Sequence, residues 1–101
     1  MKLYINTSSS EKIIVGLDGK KFETLSKKGA SQRLLPFIVE LLEKEEKKLE
    51  DIKEIEVDTG PGSFTGLRVG VSVANTLGWA LGISVNGKDL RKGEVVDIKY
   101  S

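Results

Sequence analysis

Cysteine and histidine are both absent from the 101 residues. The chain therefore has no thiol nucleophile, no disulfide and no imidazole to act as acid, base or metal ligand. A zinc site would need an unusual all-carboxylate shell, so no metal site is expected. A net charge of +1 gives no basic footprint for gripping a phosphate backbone, and no direct nucleic-acid contact is expected. Charge is also missing locally. From Thr59 to Gly87 only Arg68 is charged. The window Leu67–Val85 has the length of a membrane span, but it carries Arg68, Ser72, Asn75, Thr76 and several glycines, which hydrocarbon tolerates poorly. No charged-then-apolar leader opens the sequence, which therefore reads as cytoplasmic. The length allows one small domain, residues 1–101.

What is present reads as an α/β pattern. Lys2–Asn6 alternates polar and apolar residues as a first strand, and Lys12–Leu17 is a second. Asp18-Gly19 is a tight hairpin turn into a third strand, Lys21–Ser26. From Ser31 to about Leu49 the apolar residues recur with helical spacing and cover an arc of roughly 200°. Ser31 is the expected N-cap, and Pro36 predicts a bend or a ragged first turn. Ile52–Val57 is a fourth strand, parallel to the first because a helix precedes it. A second helix is expected over Phe64–Leu81, ended by Gly82. Ile83–Val85 is a short fifth strand, Asn86-Gly87 a turn, and Val95–Tyr100 a further strand.

Two features of the second helix carry most of the chemistry. Its entry turn, Thr59–Gly66, is glycine-rich and joins a strand to a helix, a geometry that can cradle phosphate on backbone amides. The spacing Gly60-x-Gly62-x-x-x-Gly66 is neither a Rossmann nor a Walker A motif. Thr7, Ser8, Gly60, Gly62, Ser63 and Thr65 are the candidate residues of such a vestigial phosphate loop. The alternative is that the glycines serve backbone angles and close packing. The second feature is the recurrence of Gly66, Gly70, Ala74, Gly78 and Gly82 every four residues. Such a row forms a shallow groove that admits another backbone. The occupant is either the domain's own sheet or a helix of another chain. Both helices have apolar arcs of roughly 200°, about twice what a surface helix requires. Trp79, on the polar side, has the character of an interface anchor.

The run Gly60-Pro61-Gly62-Ser63-Phe64-Thr65-Gly66-Leu67-Arg68-Val69-Gly70 resembles the signature of the TsaB (YeaZ) family. That family supplies the glycoprotease-like subunit of bacterial tRNA threonylcarbamoyladenosine synthesis. Ser31-Gln32-Arg33-Leu34-Leu35-Pro36 and Ile5-Asn6-Thr7-Ser8 resemble two further family segments, and the likeness extends over residues 1–85. It implies a single actin-like (ASKHA, ribonuclease H-like) half-domain, a mixed five-stranded sheet with two main helices. It also implies a non-catalytic partner of TsaD, the enzyme that modifies adenosine 37 of tRNA, joined to it through these helices. The implied interface residues are Arg33, Leu34, Phe37, Ile38, Leu41, Gly66, Leu67, Gly70, Val71, Ala74, Asn75 and Gly78. No catalytic residue and no cofactor are implied for this chain.

Three departures accompany the resemblance. The second lobe usual in the family is missing, and residues 86–101 diverge. Asn6 stands where nucleotide-binding members of the fold favour Asp. Ala30 stands where the family often has His. A lone lobe offers half of a nucleotide cleft, so autonomous ATP hydrolysis is not expected. The leading expectation is a scaffold lobe that binds a TsaD-type subunit. The others are a self-associating homodimeric module and a degenerate nucleotide-binding fragment.

Overall fold

A computed structural model describes residues 1–26 and 29–98. Five strands form one mixed sheet: β1 (Lys2–Asn6), β2 (Lys12–Leu17), β3 (Lys20–Leu25), β4 (Glu54–Val57) and β5 (Ser84–Val85). Their order is β3-β2-β1-β4-β5. The hairpin turn between β2 and β3 is made by Asp18 and Gly19, both at positive φ. This fixes an antiparallel register in which Val15 faces Phe22 and Ile13 faces Thr24. β4 lies parallel to β1, as the intervening helix requires, with Leu3 opposite Ile55.

Alternation along the strands sends the apolar side chains to one face. Leu3, Ile5, Ile13, Val15 and Val85 are fully buried there, beneath helices α1 (Ala30–Lys44) and α2 (Phe64–Leu81). The opposite face is polar. The Lys2 ammonium meets Glu56 at 2.8 Å, Lys12 reaches Glu23 at 3.9 Å, and Lys21 lies over the Tyr4 ring. Exposed pairs of this kind add little stability, but they make that face compatible with water.

Helix α1 departs from expectation at both ends. Its N-cap is Gly29, at φ 96°, and no side chain caps it; Ser31 already lies inside the helix. The helix stops at Lys44, well before Leu49. The Glu46 amide bonds to the Glu43 carbonyl and the Lys47 amide to the Leu42 carbonyl, with Glu46 at φ 55°. That is a Schellman stop built without glycine. Leu49 instead opens a single 3-10 turn, Leu49–Asp51. Pro36 lies within α1, which continues through it. Gln32 and Pro36 are both exposed, so the Gln32 carbonyl that loses its N–H partner faces solvent.

Helix α2 has the expected bounds. Ser63 caps its start, and Gly82, at φ 68°, ends it. Beyond β5, Asn86 and Gly87 turn the chain at positive φ. Residues 94–98 form no strand, and Lys99 and Tyr100 lie outside the described residues. The tail instead runs back along α2. Val96 and Ile98 are buried, and the Asn75 side-chain amide donates to the Val96 carbonyl at 2.9 Å. Upstream of them, the Arg91 guanidinium donates to the Trp79 and Ala80 carbonyls at the end of the helix.

Candidate functional site

The glycine-rich turn is filled by its own chain. An added Cβ at Gly62 would lie 2.6 Å from the Ser8 carbonyl oxygen. The Ser63 amide donates to that same oxygen at 2.7 Å. The Gly60 amide donates to the Asp58 carboxylate, and the Ser8 amide and hydroxyl both donate to the Asn6 side-chain oxygen. Thr7 is completely buried, its hydroxyl bonded to the Gly66 carbonyl. Thr7, Ser8, Gly60 and Gly62 therefore do not form a phosphate cradle. Their polar groups hold the β1–β2 loop against the turn, and an aspartate carboxylate sits beside it. Ser63 and Thr65 of that set line a cleft. Asn6 has its amide oxygen and nitrogen both engaged, the nitrogen on the Tyr4 hydroxyl. No cluster of acidic side chains fit to hold a metal occurs among the described residues.

The small-residue row on α2 is likewise occupied from within. Gly66 and Gly70 lie against Thr7 at the end of β1, and Gly78 lies against Val85 of β5. Ala74 is fully buried between them. Among the residues expected at a partner interface, Leu34, Phe37, Ile38, Leu41, Gly66, Leu67, Gly70, Val71, Ala74 and Gly78 are all buried in the domain's own core. They are not available to a second chain. The two remaining members are partly buried and engaged. Arg33 pairs with Glu40 and stacks on Phe37, and Asn75 holds the tail. A helix commits its most apolar stripe to its own sheet first, so the outer edges of a wide arc are what remain.

Those edges are exposed on α1 and partly covered on α2. On α1, Leu35 and Val39 are 46% and 39% exposed, continuing the i+4 row that starts at Ser31. On α2, Val69, Val73 and Leu77 are partly buried and continue the row from Thr65. Ser31, Thr65 and Val69 line one cleft, so both rows begin at the same place, and α1 and α2 pack against each other. The wide apolar arcs carry this signal: their centres face the sheet and their margins are what remain. On the other flank of α2, Trp79 is 62% exposed and borders a groove of about 610 Å³ with Ala80, Leu90 and Val95. No helix among the described residues is long and apolar enough to cross a membrane.

The family model described as "TsaD: tRNA N6-adenosine threonylcarbamoyltransferase" matches residues 23–87. The tRNA threonylcarbamoyladenosine biosynthesis protein TsaB of Bacillus subtilis (strain 168) is 39% identical over 66 residues, covering 65% of this chain and 29% of that protein. TsaB of Escherichia coli (strain K12) is 42% identical over 52 residues, covering 52% of this chain and 22% of that protein. Among solved structures, YeaZ from Pseudomonas aeruginosa aligns with a TM-score of 0.70 at 29% identity, over 83% of this chain and 41% of that one. The mixed five-stranded sheet with two helices is thus shared with YeaZ, as an actin-like (ASKHA-type) α/β fold. The chain spans less than a third of the length of these TsaB relatives.

Proposed function

The chain belongs to the TsaD family, on the part of it named TsaB or YeaZ, and on that premise we propose that it is a non-catalytic binding subunit in tRNA threonylcarbamoyladenosine biosynthesis. Its partner in this reading is a TsaD-type protein, the modified nucleoside is adenosine 37, and the chain itself does not grip tRNA. The observation that carries the reading is the apolar seam between α1 and α2. Leu35 and Val39 on one helix, with Val69, Val73 and Leu77 on the other, form two i+4 rows that the described residues leave partly uncovered. Exposed apolar side chains scattered singly need no explanation, but two aligned rows on adjoining helices suit a helix pair from a second chain.

The polar groups near β1 support a non-catalytic role. Asn6, Thr7 and Ser8 have their side-chain groups engaged by the fold, which leaves them poorly placed to bind a nucleotide. The test is co-elution of the purified chain with the TsaD protein of the same genome, using wild type and Leu35→Glu. Co-elution of wild type and its loss in the variant support the reading. No complex at tens of micromolar rejects it. Sedimentation of the chain alone over a concentration series shows whether a second copy takes the same face.

A further inference from the structure

Every aromatic ring among the described residues except Trp79 has a cation over it. Lys20 and Lys44 share Phe22, Lys21 lies over Tyr4, Arg33 over Phe37 and Arg68 over Phe64, at 5.0 to 5.6 Å from the ring centres. An indole attracts cations more strongly than a phenyl or phenol ring does. Trp79 is 62% exposed, yet no Lys or Arg of the described residues stands over it.

The groove that Trp79 borders suits what the ring attracts. Ala80, Leu90 and Val95 give it apolar walls, and Glu94 is the one charged residue lining it among the described residues. One Glu94 oxygen accepts from the Asp89 amide, and no Lys or Arg of the described residues pairs with the carboxylate. Asn75 also stands in the wall, and its amide oxygen is buried without a donor. A carboxylate, an uncompensated amide oxygen and the face of an indole together make the groove attractive to positive charge. Arg91 and Lys92 follow Leu90 in the chain but do not line the groove. The Arg91 guanidinium is held by the Trp79 and Ala80 carbonyls at the end of α2. A volume of about 610 Å³ is that of a small-molecule site, for which about 300–1,000 Å³ is usual.

We propose that this groove binds a small alkylammonium ion, its charge against Trp79 and Glu94 and its methyl groups against Leu90 and Val95. This binding does not depend on docking at the seam. One ring and one carboxylate in an open groove imply millimolar affinity.

Trp79 is the only tryptophan in the chain, so its fluorescence reports on this groove alone. The probe is choline chloride. It is compared with its uncharged isostere, the alcohol with a tert-butyl group in place of trimethylammonium, and with sodium chloride at matched ionic strength. N-acetyltryptophanamide, titrated in parallel, corrects for collisional effects. A saturable change with choline is expected, with the isostere bound about fivefold more weakly. Glu94→Gln keeps an oxygen for the Asp89 amide and should weaken choline binding about threefold. Val95 is 63% exposed, so Val95→Lys should fold, and its ammonium at the groove wall should abolish binding. Equal binding of choline and its isostere would overturn the proposal, as would a choline response that never saturates. So would Glu94→Gln and Val95→Lys variants that fold and bind choline like wild type.

Discussion

The hydroxyl of Thr7, just past the end of β1, donates a 2.6 Å hydrogen bond to the carbonyl of Gly66 in the first turn of α2. The two backbones can approach this closely because residues 66 and 70 have no side chains. An added Cβ at either would collide with Thr7. This single contact explains why glycine recurs in a helix interior, where it costs about 1 kcal/mol relative to alanine.

Gly70→Ala should therefore destabilise the chain, although alanine is the better helix former. Displacing Thr7 to admit the methyl is an overpacking problem, which costs about 1–3 kcal/mol and outweighs the helix gain. Urea denaturation of wild type and variant measures it. Gly70→Leu should unfold the domain, so it cannot serve as a probe of partner binding. A Gly70→Ala variant as stable as wild type would mean that β1 and α2 are not in this contact.

Glu46 predicts the opposite sign. It occupies the left-handed position of the Schellman stop after α1, at φ 55°. A side chain there is strained by about 1 kcal/mol, partly offset by the greater freedom of glycine in the unfolded chain. Glu46→Gly should raise stability by about 0.5 kcal/mol, seen as a higher urea midpoint at unchanged slope.

These two sites show what was legible in the sequence. The sheet, its parallel β1–β4 pairing and the bounds of α2 follow from alternation, from Asp18-Gly19 and from Gly82, each a residue type with one strong local preference. The end of α1 does not, because Glu46 adopts its backbone angle under tertiary pressure and glutamate carries no stop signal. The small-residue row was legible as close packing, but the identity of the neighbour was not. Periodicity shows which face of a helix is apolar. It does not show how much of that face its own sheet consumes. The groove beside Trp79 was invisible for a similar reason: Trp79, Leu90 and Glu94 come from three separate segments.

Arg91 tests the role of the tail. Its guanidinium donates to the Trp79 and Ala80 carbonyls, two of the acceptors left open at the end of α2. Arg91→Ala should cost about 0.5–1 kcal/mol, from lost capping bonds and lost positive charge at a helix C-terminus. Hydrogen exchange should localise the loss to the last turn of α2. Exchange that rises evenly over the domain would count against a local capping role.

The seam gives the sharpest separation of binding from folding. Leu35 is 46% exposed, whereas Ile38, one turn further along α1, is completely buried. Leu35→Glu should leave stability within about 0.5 kcal/mol of wild type, as exposed substitutions usually do. Ile38→Ala should cost about 2–5 kcal/mol, from lost burial and the cavity left behind. If α1 and α2 carry the TsaD-type partner on these two rows, Leu35→Glu loses the complex and keeps the fold. In that case Ile38→Ala, held at a temperature where it remains folded, loses stability and keeps the complex. Val73→Glu, on the α2 side, should also lose the complex, because a partner lying in the seam touches both rows; Val73 packs against the core, so the variant's own urea midpoint is measured beside it. Retention of the complex by both glutamate variants would move the partner off the seam, and the Trp79 groove on the far flank of α2 would then be the next surface to mutate.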